Sequence, residues 1–158
     1  MRKRYCFLAL LFFILLVTVG CSGEVDVEWH TDPELFYENP ESFISIAVFG
    51  KDNETIIEHL FIEYRENTSV ADLTAEAGRI KSIPVVFAGM GTMRYVRGIN
   101  NLFEFDHGAG SGWLYAINKE FMGVGIGNFI VSPGDRVSWH YTLDLGNDLG
   151  AGIGVDSR

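Results

Sequence analysis

Four stretches of the chain alternate apolar and other residues with a period of two, the pattern of a strand that buries one face. Within residues 43–49 the apolar set is Ile44, Ile46 and Val48, and within residues 55–64 it is Leu60, Ile62 and Tyr64. Trp113, Tyr115 and Ile117 alternate in the same way, as do Val137, Trp139 and Tyr141. The polar turn Lys51-Asp52-Asn53-Glu54 would fold the first two stretches into a hairpin. One segment switches to helical spacing. Val70, Leu73 and Ala77 share a stripe behind Ser69-x-x-Asp72, which has the form of a capping box, and Gly78 is placed to end that helix in a left-handed conformation.

Weaker signals fill the intervals. Pro84-Val85-Val86-Phe87 reads as a strand or an irregular edge, because proline has no amide to give to a ladder. Residues 89–93 read as a turn or bulge, residues 94–99 as extended, and residues 106–112 as a flexible glycine loop. Pro133-Gly134-Asp135 is a turn with a fixed negative φ followed by a permissive residue. Residues 147–158 are expected to form a loose, glycine-rich tail.

The N-terminus follows a different logic. Arg2, Lys3 and Arg4 precede an apolar run from Tyr5 to Val19, and Gly20-Cys21-Ser22 follows. A basic start, a short apolar stretch and small residues at its end read as a secretory signal over residues 1–20. Val17-Thr18-Val19-Gly20-Cys21 resembles a bacterial lipobox, which implies cleavage before Cys21 and lipid attachment to its thiol. An uncleaved anchor helix is the alternative. Either reading puts the remainder at the outer face of the cytoplasmic membrane, and acyl chains that each bury many CH₂ groups would hold it there.

Removing that segment sharpens the charge. The 158-residue chain has 12 basic and 21 acidic residues; three of the basic ones and none of the acids lie in the signal, which leaves a balance of −12. So acidic a surface does not neutralise a phosphate backbone, which excludes nucleic acid, and it repels anionic headgroups, so the membrane is met through the lipid anchor only. Residues 21–42 hold seven acids together with Pro33 and Pro40 and read as an acidic tether, although Trp29, Leu35, Phe36 and Tyr37 are unusually apolar for a linker and fit packing on a domain edge. With Cys6 in the signal and Cys21 lipidated, no thiol is left for a disulfide, a redox pair or a thiolate metal site.

The segment with two of the three tryptophans carries a resemblance. Gly112-Trp113-x-Tyr115-x-Ile117-Asn118, a gap, Pro133-Gly134-Asp135-x-Val137-x-Trp139-x-Tyr141, then Leu143-Asp144-Leu145-Gly146 resembles the transcobalamin C-terminal-like domain family, whose bacterial members are surface modules. Ile99-Asn100-Asn101-Leu102 is similar to a turn that recurs in that family. The resemblance implies an α+β, β-grasp-like fold, a twisted sheet wrapped on one short helix, over residues 43–146. It implies a non-catalytic binding module that captures a corrinoid (cobalamin-like) or similar flat amphipathic ligand, with no covalent cofactor; since a lone lid buries one face of such a ligand, a partner domain, a surface protein or a dimer would complete a tight site. A structural or adhesion module binding another surface protein or a glycan is the alternative. Many members have Asn-Gly in the first turn; Asn118-Lys119 here implies a longer turn or one of another type.

Candidate ligand-binding residues follow from composition and position together. Trp113 and Tyr115 serve either as core or as binding surface. Phe121, Met122, Gly123 and Val124 lie in an apolar, glycine-broken crossing between strands, where methionine can repack around an irregular ligand and glycine admits it to the main chain. Catalytic and metal chemistry is poorly supported. Gly123-x-Gly125-x-Gly127 has the wrong spacing for a dinucleotide loop and opens onto a strand rather than a helix. His30, His59, His107 and His140 stand at no metal-binding spacing, and Asp144-x-x-Asn147-Asp148 lacks the loop length and terminal glutamate of a calcium-binding EF-hand. No serine elbow, Cys-His pair or carboxylate pair points to a nucleophile or an acid-base couple.

Overall fold

A computed structural model describes residues 33–151. The signal, Cys21, Trp29, His30 and the end of the tail lie outside the described residues. The elements are α1 (Pro33–Glu38), β1 (Phe43–Phe49), β2 (Thr55–Glu63), α2 (Val70–Lys81), β3 (Val85–Ala88), β4 (Tyr95–Ile99), β5 (Leu102–Phe103), β6 (Gly112–Ile117), β7 (Glu120–Phe121) and β8 (Arg136–Thr142). The fold is α+β: a five-stranded mixed sheet in the order β2-β1-β8-β6-β7, a separate three-stranded sheet in the order β3-β4-β5, and one main helix. Residues 85–103 therefore leave the main sheet and build a second one, where the family resemblance implied one twisted sheet.

β1 and β2 form the expected antiparallel hairpin, with Ile46 opposite Leu60. β1 also pairs parallel with β8, Val48 opposite Trp139, and β8 pairs antiparallel with β6, Trp139 opposite Tyr115. These registers put Ile44, Ile46, Val48, Tyr115, Val137 and Trp139 on one face, and each is buried. α2 covers that face with Val70, Leu73 and Ala77.

α2 starts as its sequence dictates. Ser69 Oγ accepts from the Asp72 amide at 3.1 Å, and the Asp72 carboxylate accepts from the Ser69 amide at 3.2 Å. Its end differs from expectation. The helix runs through Gly78 to Lys81, and Ser82 takes the left-handed conformation at φ 55°. Gly78 is needed for space: a Cβ there would lie 2.6 Å from Val85 Cγ2 and 2.8 Å from the Ile83 carbonyl. The glycine lets β3 pass close under the last turn of α2.

Part of the acidic stretch is also folded. α1 buries Phe36 against Phe61, ring centroids 5.0 Å apart, and Arg136 lies over the Phe36 ring at 5.4 Å. The region after β8 begins with a 3₁₀ turn at Asn147–Leu149, tied to β8 by Asp148, which accepts from the Leu143 amide at 2.7 Å and from the Thr142 hydroxyl. Among the described residues no helix is long and apolar enough to cross a membrane.

Candidate functional site

The crossing between β7 and β8 is anchored on both sides, unlike a free loop. On the side of the main sheet, the Met122 amide donates to the Tyr115 carbonyl at 3.0 Å, and the Tyr115 hydroxyl donates to the Val124 carbonyl at 3.0 Å. On the side of the small sheet, the Ile126 amide donates to the Arg94 carbonyl at 3.0 Å. Two glycines make that approach possible. A Cβ on Gly125 would fall 1.8 Å from the Thr92 carbonyl oxygen, and one on Gly127 would fall 2.1 Å from that of Gly91. Gly125 and Gly127 thus serve the protein's own backbone contact.

This stitching leaves a cleft of about 430 Å³ between residues 92–96, the start of β6 and the crossing. That is within the range of small-molecule sites, which are concave and mostly apolar. Trp113, Tyr115 and Trp139 form its floor. The Tyr115 and Trp139 rings lie 5.3 Å apart, tilted, and the Trp113 indole donates to the Leu102 carbonyl at 2.9 Å. Burial pushes the Tyr115 phenol up to about 12, so it is a neutral donor at ordinary pH and holds the crossing in place.

The candidate residues divide by position. Trp113 and Tyr115 are buried core side chains that reach the cleft as its floor. Met122 is half-buried and packs on the core from the cleft wall. Gly123 and Val124 are exposed, and Val124, 54% accessible, forms the lip. Phe121 is not a cleft residue. It pairs with Ala116 on the opposite face of the sheet and meets His140, ring centroids 5.4 Å apart. His140 in turn stacks on Phe49 at 5.1 Å and contacts Ser138 Oγ at 2.9 Å; desolvation lowers its pKa.

The facing wall of the cleft has no counterpart among the sequence candidates. It is made by Thr92, Met93, Arg94, Tyr95 and Val96, with Met93 76% and Tyr95 42% accessible. The available signal was Gly89-Met90-Gly91-Thr92-Met93, two methionines in a glycine-rich turn, where a turn alone would favour polar residues.

The other constellations have protein partners. The Asp106 carboxylate accepts from the Phe103 amide at 2.8 Å, and the Ser111 hydroxyl accepts from the His107 amide at 3.1 Å, so the glycine loop is internally bonded. Burial alone would raise the pKa of Asp148, but the hydrogen bonds from Thr142 and Leu143 outweigh it and hold the carboxyl low. Among the described residues no group of three or more His, Cys, Asp or Glu is gathered as metal ligands would be.

Residues 67–142, from just before α2 to the end of β8, match the family described as Domain of unknown function (DUF4430). No curated protein matches the chain. Haptocorrin, solved in complex with Cbi, is similar in structure at a TM-score of 0.50 and 16% identity, over 65% of this chain and 25% of haptocorrin. The chain therefore spans about a quarter of that protein's length. A candidate metal binding protein from Ruminococcus gnavus ATCC 29149 aligns at a TM-score of 0.47 and 14% identity, over 65% of this chain and 97% of its own. Over residues 67–142 the chain is thus similar to the DUF4430 family, and its fold is similar to that of haptocorrin, a transcobalamin-family protein.

Proposed function

We propose that the protein is a non-catalytic binding module whose cleft captures a corrinoid or a similarly flat, amphipathic molecule. The observation that carries this reading is an apolar cleft with an exposed apolar rim. Met93, Tyr95 and Val124 stay accessible around a floor of Trp113, Tyr115 and Trp139. Apolar rim groups held in water cost free energy that a ligand recovers, at roughly 25 cal/mol per Å² covered. The likeness to haptocorrin supports the ligand class. The parallel β1–β8 pair at the centre of the sheet, with α2 between the hairpin and the remaining strands, supports a β-grasp arrangement.

An open cleft on one domain touches one face of such a ligand, so tight capture calls for a second surface from a partner domain or another protein. The acidic N-terminal region and Cys21 fit a lipid-anchored protein at the outer face of the cytoplasmic membrane. Cys21→Ala should abolish incorporation of labelled palmitate, and continued acylation of that variant would remove the anchor from the account. The binding reading is tested by absorbance titration of the purified protein with cobalamin, cobinamide and haem. Saturable spectral change with a corrinoid supports the corrinoid reading, and change with haem alone supports the flat amphipathic ligand without it; no change with any of the three overturns the proposal.

A further inference from the structure

The charge of the cleft runs opposite to that of the chain. Acidic residues outnumber basic ones 21 to 12, yet no aspartate or glutamate lines the cleft, and its one charged lining residue is Arg94. The guanidinium lies over the Phe87 ring, 4.3 Å from its centroid, and forms no ion pair among the described residues. The acid on the neighbouring strand end is already committed: Glu104 lies 3.5 Å from Arg97 and accepts from the Tyr95 hydroxyl at 3.2 Å. Arg94 is half-buried and is the one lining residue able to turn a charge from its seat on Phe87 toward the apolar hollow, where electrostatic attraction is stronger than in bulk water. Its planar fork of donors suits a carboxylate, phosphate or sulfonate, which it can hold through two hydrogen bonds at once.

We propose that the cleft takes an amphipathic anion, with an apolar body against Met122, Val124 and the aromatic floor and an acidic group on Arg94. This rests on the cleft being the binding site and specifies the charge of what it takes. The net negative field of the chain repels small inorganic anions, so the apolar body supplies the capture and Arg94 selects among apolar molecules.

The test uses two fluorescent probes of similar shape, the anion anilinonaphthalene sulfonate and the neutral N-phenylnaphthylamine, titrated into the full protein and into Arg94→Gln and Arg94→Lys. Losing a charge-assisted hydrogen bond should weaken the sulfonate by about tenfold in Arg94→Gln, with partial recovery in Arg94→Lys. The neutral probe should change by less than about twofold, since it makes no charge-assisted contact. Melting curves of the three proteins should coincide. Equal weakening of both probes would mean that Arg94 acts only by packing on Phe87, and would overturn the proposal. So would an unchanged sulfonate affinity, or sulfonate binding that Val124→Asp does not disturb. Arg94-dependent sulfonate binding without corrinoid binding would keep this inference and remove the corrinoid. Corrinoid binding with Arg94-independent sulfonate binding would do the reverse.

Discussion

The indole of Trp139 donates to Thr74 Oγ1 at 2.9 Å, joining the centre of the main sheet to the middle of α2. The threonine hydroxyl passes its own hydrogen to the Val70 carbonyl at 2.6 Å, so sheet, side chain and helix backbone form one bonded chain in the core. Trp139 is 1% exposed and Thr74 2%. Truncating a tryptophan this buried should cost about 3–5 kcal/mol, so Trp139→Ala should lower the unfolding free energy by that amount. Thr74→Val keeps the volume but leaves the indole N–H without its partner, at a cost of about 1–3 kcal/mol. Denaturant unfolding measures both. A loss under about 1 kcal/mol for Trp139→Ala would show that the ring does not hold the helix to the sheet.

Gly125 tests how the cleft is built. Its close approach to the Thr92 carbonyl leaves no room for a methyl group, so Gly125→Ala must pull the crossing away from the small sheet. We expect a loss above about 2 kcal/mol, together with opening of the cleft. Gly91→Ala is the comparison, because nothing lies within 4 Å of a Cβ there and its φ of +54° is the only obstacle. It should cost about 1–2 kcal/mol. Equal, small losses in urea unfolding would contradict the stitched crossing.

Tyr115 gives a pH signature. Its folded pKa of about 12 stands above the ordinary value of 10.0, so the folded state keeps the phenol protonated where the unfolded chain loses its proton. The stabilisation is therefore complete below the unfolded value and is lost as pH rises toward the folded one. Between pH 10 and about 12, the wild type should lose stability more steeply than Tyr115→Phe, which has no phenol to ionise. Parallel pH dependences, followed by unfolding at each pH, would show that the phenol is not held in a buried, neutral state.

The readable parts of the fold were those in which a local pattern and a burial face coincide. Ile44, Ile46 and Val48 alternate because a sheet has two faces, and Ser69 with Asp72 marks a helix start through its own hydrogen bonds. The unreadable parts depend on what meets across space. Gly78 resembles a helix end, but it sits inside the helix because β3 passes beneath it. Asn118-Lys119 makes a two-residue turn, Ile117 pairing with Glu120, with φ of 52° and 76°. Positive φ at both positions is the sign pattern of the usual tight hairpin turn, so lysine occupies a place where glycine is favoured. The longer turn, or one of another type, that the sequence suggested is absent here.

The candidate site was half legible for the same reason. The aromatic floor and the crossing announce themselves through Trp113, Tyr115, Met122 and Val124, which are close in sequence. The facing wall, with Met93, Arg94 and Tyr95, lies 18 to 31 residues earlier in the chain and becomes a wall only because a second sheet folds against the crossing. Phe121 belongs to the same apolar run as Met122, but strand alternation turns it to the other face of the sheet.

The central claim, that the exposed lip of the cleft captures an amphipathic ligand, is tested most directly by measuring binding and melting together on Val124→Asp and Met122→Asp. Val124 is 54% accessible, whereas Met122 packs on the core. A carboxylate at Val124 meets water in the free protein and an apolar ligand in the complex, so Val124→Asp should weaken cobalamin or cobinamide binding at least about tenfold while the melting midpoint moves by less than about 2 °C. Met122→Asp should instead lower the midpoint by several degrees as it weakens binding, because its charge borders the core. Undiminished corrinoid binding by Val124→Asp, or binding lost only together with the fold, would contradict the account.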